Sequence, residues 1–140
     1  MKKLLFFICG VWIFTSCAKE FDLDKFPQKW QLTSMSGQTP NSTTSGSDME
    51  WQESYLLNSD GTFRKSRIQN GVLTEASGTF VFKDLTDGKF LELFFKNSSN
   101  IIGSCTTSAL KETLWVRSEV KMSGTWSNCD GIGLEYERIK

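Results

Sequence analysis

The chain has 140 residues, 16 Lys and Arg against 16 Asp and Glu, and no histidine. A near-neutral balance leaves no basic footprint for nucleic acid. The missing imidazole excludes Ser-His-Asp, Cys-His and His-zinc sites, so no catalytic residue, no metal ligand and no cofactor is expected.

In chain order, the first element is a leader. Lys2 and Lys3 precede an apolar run over residues 4–14, and Thr15 and Ser16 stand just before Cys17, the layout of a secretory signal. The run is shorter than the roughly 20 apolar residues a spanning helix needs. A cysteine directly after such a run resembles a bacterial lipoprotein signal, which implies cleavage that frees the Cys17 amine and attachment of acyl chains there. The order Phe14, Thr15, Ser16, Cys17 departs from the commoner Leu-x-Ala/Gly-Cys and resembles Bacteroidetes-type lipoproteins. Lys19 and Glu20 resemble the export tag of surface-directed members. The expected organisation is a signal peptide over 1–16, a lipidated Cys and tether over 17–27, and one domain over 28–140. The resemblance implies a lipid anchor in the outer membrane, facing the periplasm or the cell surface.

Loss of Lys2 and Lys3 leaves 14 basic against 16 acidic residues in a mature chain large enough for one modest core. Cys9 leaves with the leader and Cys17 carries lipid, so Cys105 and Cys129 remain, and an oxidising compartment favours a disulfide between them. Their spacing fits no metal knuckle and no C-x-x-C motif.

The tether alternates charge with Phe21, Leu23 and Phe26, so its aromatic end is positioned to close one end of a barrel. KWQLTSM (29–35) alternates as a half-buried strand with Trp30 and Leu32 on one face. Residues 36–48 are Gly, Ser, Thr, Asn and Gln around Pro40 with Asp48 at the end, which predicts a long mobile loop, either a lid or a passive connection. Residues 50–57 place Trp51, Glu53, Tyr55 and Leu57 on one side, and the Asp60-Gly61 turn leads into 62–68. Asn70 and Gly71 end that strand, and Gly78 opens the next with Phe80 and Phe82 on one face. Asp87 and Gly88 turn into KFLELFFK, where Leu91, Leu93 and Phe95 share a side. Ile101 and Ile102 suggest a short strand in a polar stretch. Residues 113–120 form a strand with Leu114 and Val116 opposite Trp115 and Arg117, a short strand surrounds Gly124, and 132–139 closes the chain. Gly-Thr-aromatic triplets at Gly61, Gly78 and Gly124 read as strand openings.

About eight strands joined by tight turns predict an all-β domain, a sandwich or an up-and-down antiparallel barrel. Sequential hairpins favour the barrel, because closure removes exposed edges. Together, the lipidated Cys, KWQLTSM, YLLNSDGTF, SGTFVF, ETLWV and GLEYERI resemble the lipocalin-like lipoproteins of Bacteroidetes. Trp30 matches the first-strand Trp of lipocalins and Arg138 the last-strand Arg that packs over it, while Gln28 stands where their Gly would be. The resemblance implies an apolar pocket for a small apolar or amphipathic ligand. Candidate lining residues are Trp30, Leu32, Trp51, Tyr55, Phe63, Phe80, Phe82, Leu91, Leu93, Trp115 and Tyr136. Equally, inward aromatics can simply fill a small barrel. In that case the module meets an envelope protein through its loops, as protease inhibitors do.

Overall fold

Period-two alternation becomes a ring of antiparallel strands in the computed structural model, which describes residues 20–106 and 110–140. The strands are β1 (Gln28–Ser36), β2 (Thr44–Ser45), β3 (Gln52–Leu57), β4 (Thr62–Gln69), β5 (Val72–Leu85), β6 (Gly88–Phe95), β7 (Lys111–Val116), β8 (Lys121–Gly124) and β9 (Gly133–Ile139). From β3 onward each strand pairs with the next, β1 pairs with β3, and β9 returns to β1, which closes an up-and-down barrel of eight strands. β2 is an extra short strand laid along the end of β1. A register shift between Leu32 and Ser34 in the β1–β9 ladder leaves Thr33 out and turns Met35 inward after Trp30 and Leu32.

The barrel has two ends. The tether end holds residues 20–27, the β3–β4, β5–β6 and β7–β8 turns, and the C-terminus. The loop end holds residues 37–51, the β4–β5 turn, the β6–β7 connection and a 3-10 turn over Trp126–Cys129. The tether segment stoppers its own end: Leu23 is buried, Phe21 and Phe26 pack on the core, and the Phe26 and Phe80 rings lie 5.8 Å apart.

The structure corrects three local expectations. β5 starts at Val72 and not at Gly78, because Asn70 (φ 52) and Gly71 (φ 76) are both left-handed and reverse the chain in two residues. Gly78 therefore sits mid-strand, where an added Cβ would lie 1.8 Å from the Phe94 carbonyl oxygen and 3.0 Å from the Phe63 ring. Its bare backbone lets Phe63 lie across it and meet Phe95 edge-on at 4.9 Å. Gly124 ends β8 rather than opening a strand.

Second, residues 36–48 are not a free loop. Thr44 and Ser45 pair with Met35 and Ser34, Gly46–Asp48 forms a 3-10 turn, and Met49 is buried beyond it. Hydrogen bonds replace the burial its composition denies: Gln38 Nε2 donates to the Gly131 carbonyl, Ser42 Oγ to Thr39, and Gln52 Nε2 to Gly46. Third, Ile101 and Ile102 form no strand. Ile101 is buried in a connection that crosses the loop end, and the Cys105–Cys129 disulfide ties that connection to the Trp126–Cys129 turn.

Candidate functional site

Alternation carries charge inward as readily as it carries apolar surface. On β3 the inward face is Glu53, Tyr55 and Leu57; on β4 it is Phe63, Lys65 and Arg67; on β7 it is Glu112, Leu114 and Val116. In the ladder Glu53 stands opposite Arg67 and Tyr55 opposite Lys65. Two carboxylates and two cations thus meet inside the barrel.

Lys65 Nζ lies 2.9 and 3.0 Å from the two oxygens of Glu112 and 3.1 Å from Glu53 Oε1. Arg67 Nε donates to Glu53 Oε2 at 2.6 Å, and its Nη2 donates to the Ile101 carbonyl at 3.2 Å. Tyr55 donates its hydroxyl to Glu112 at 2.8 Å and Tyr136 to Glu53 at 2.6 Å. The Arg67 guanidinium also lies 4.1 Å from the centre of the Trp51 ring. Lys65 is 0 % exposed, Glu53 1 % and Glu112 3 %.

Each charge is matched and every carboxylate oxygen accepts at least one charge-assisted bond, the condition under which buried ions are tolerated. Burial lifts Glu112 above the usual carboxylate range, against the pull of Lys65. Burial first, and then the adjacent carboxylates, hold Tyr55 and Tyr136 well above the usual tyrosine range, so both stay protonated donors. The arrangement sets two buried carboxylates against two buried cations, which suits it to fixing strand register. Both carboxylates are already engaged, and among the described residues no three His, Cys, Asp or Glu side chains gather as a metal site.

Most candidate lining residues do converge inside. Trp30, Leu32, Trp51, Tyr55, Phe63, Leu91, Leu93 and Tyr136 are buried in the barrel, and Phe80 and Phe82 pack against them at the tether end. Trp115 does not join them: alternation with Leu114 and Val116 turns it outward, between the Phe90 ring at 5.8 Å and the Arg117 guanidinium at 3.6 Å. Arg138 stands opposite Trp30 in the ladder, but its guanidinium donates to the Lys25 carbonyl, while Trp30 Nε1 donates to Gln28 Oε1. Among the described residues, five surface depressions are lined by none of the eleven candidate lining side chains except Tyr136, which borders one. Cys17 lies outside the described residues.

Lys65, Arg67 and Glu112 are not among the candidate residues of the sequence. A signal was present, because period two from Phe63 puts both cations on the inward face and period two from Leu114 does the same for Glu112. No family model matches this sequence, and neither a curated protein nor a solved structure matches it.

Proposed function

We propose that the chain is an exported, non-enzymatic envelope module, anchored by lipid on Cys17, that works through the outside of a filled barrel by meeting a protein partner. The observation carrying this reading is the interior itself. Large side chains and a compensated ion network occupy the space in which a lipocalin-like barrel would hold an apolar ligand, and two buried ion pairs are an unfavourable lining for such a ligand. At the loop end, Ile68 (50 % exposed), Val72 (63 %) and Leu73 (58 %) cluster at the tip of the β4–β5 hairpin, an apolar face of the kind partners cover. The hairpin tip is the working surface in this reading.

Native mass spectrometry of the protein from its own host, with a denatured control, tests the choice. The mass of the acylated chain, two hydrogens light for the Cys105–Cys129 disulfide and with nothing else bound, is the expected result. A non-covalent adduct lost on denaturation would restore the interior-ligand reading. Envelope pull-downs should then return a stoichiometric partner that Ile68→Ser with Leu73→Ser releases; retention by that variant would remove the hairpin from the reading.

A further inference from the structure

We infer that the tether end of the barrel rests on the bilayer surface, with Leu85, Val120 and Ile139 in contact with lipid. The inference rests on the acylation of Cys17 and adds to it a defined orientation.

The first observation is reach. Glu20, the first described residue, lines a depression with Leu85 and Lys89 beside the β5–β6 turn, and Phe21 packs on the core there. Cys17 precedes Glu20 by three residues, and an extended chain spans at most about 3.6 Å per residue. Acyl chains on Cys17 therefore enter the bilayer within about 11 Å of the tether end. The barrel is thereby held beside the headgroups.

The second observation is the composition of that end. The tether crosses it from the β5–β6 turn, past Glu119, whose carboxylate accepts from the Asp22 amide, to the start of β1. On either side stand exposed aliphatics at two strand ends and in a turn: Leu85 (53 % exposed), Ile139 (39 %) and Val120 (53 %). Val120 and Ile139 share a depression of about 380 Å³ with Pro27 and Arg138 on the other flank of the tether. Of the charges around these depressions, Lys25 pairs with Asp22 at 2.7 Å and Lys89 with Asp84 at 2.8 Å, and the remaining Glu20 and Glu119 offset Arg138 and Lys140 in number. Contact is thus made by apolar side chains and needs no anionic lipid. Because the anchor holds the surface at high effective concentration, a contact too weak to bind a free protein suffices.

The full-length lipidated chain, reconstituted in phosphatidylcholine vesicles, tests this with a photo-crosslinking residue placed in turn at Leu85, Val120 and Leu73. All three are exposed, so folding is preserved, and mass spectrometry confirms acylation. Lipid adducts at positions 85 and 120 at least tenfold above position 73, unchanged between 50 mM and 1 M salt, are expected. Equal adducts at all three, or none on an acylated chain, would overturn the orientation. Crosslinks between copies at 85 or 120 would assign this end to a dimer instead. A chain without acyl mass would overturn the anchoring reading, and the orientation with it.

Discussion

Lys65→Met isolates what the buried network does. The substitution keeps the length and volume of the side chain while removing the one cation that Glu112 contacts, leaving that carboxylate with only the Tyr55 hydroxyl. Glu53 keeps Arg67 and Tyr136, so the net result is a single uncompensated charge at a position 3 % exposed. Breaking a buried pair from one side costs about 3–5 kcal/mol, a large part of the roughly 5–15 kcal/mol that holds a domain of this size. Lys65→Met with Glu112→Gln removes the stranded charge, and the Gln oxygen still accepts from Tyr55. The double variant should therefore recover most of the loss. Urea unfolding followed by tryptophan fluorescence measures both. The single variant should also improve in acid: burial raises Glu112, so protonation favours the folded state, and the deficit grows as pH rises through its folded pKa. A double variant no more stable than Lys65→Met alone, or a deficit independent of pH, would refute charge compensation as the role of Lys65.

Three further outcomes follow from single features. Replacing both Cys105 and Cys129 by Ser opens a crosslink of sequence separation 24, so the urea midpoint should fall by the equivalent of about 3.5 kcal/mol; an unchanged midpoint would mean that the loop end is ordered without it. Gly78→Ala sets a methyl against the Phe94 backbone and should cost about 1–3 kcal/mol, read as a lower thermal midpoint. On the outer face Glu92 accepts from Lys111 and pairs with Lys83, and these contacts hold its carboxyl below the usual range. Its contribution is present above the ordinary carboxylate pKa and lost as pH falls through the depressed one, so Glu92→Gln should flatten the acid limb of a stability–pH curve. An unaltered limb would contradict that.

The barrel was legible because its information is local. Asp60-Gly61 and Asn70-Gly71 announce hairpins, and alternation in 29–35, 50–57 and 132–139 marks faces without reference to distant residues. Gly78 misled because its role is set by a contact across the sheet with Phe94 and Phe63, which no local pattern records. Residues 36–48 misled for a related reason, since their order comes from hydrogen bonds to Gly131 and to β1 rather than from burial. Trp115 shows the limit of counting aromatics as interior: its own alternation with Leu114 and Val116 pointed outward. The ion network was within reach of the same alternation, but charged side chains are ordinarily assigned to solvent.

The network also imposes an order of assembly. Glu53 and Arg67 are 14 residues apart and lie opposite each other in one hairpin, so β3 and β4 can pair these charges by themselves. Lys65 shares Glu53 within that hairpin but gains Glu112 only from 47 residues further on, and Tyr136 reaches Glu53 across 83. Until β7 arrives the hairpin holds an unmatched positive charge, which favours water over premature collapse. Only β7 in register neutralises it, so the contact forms no earlier than the arrival of β7. Glu112→Gln should accordingly speed unfolding while leaving the refolding rate unchanged.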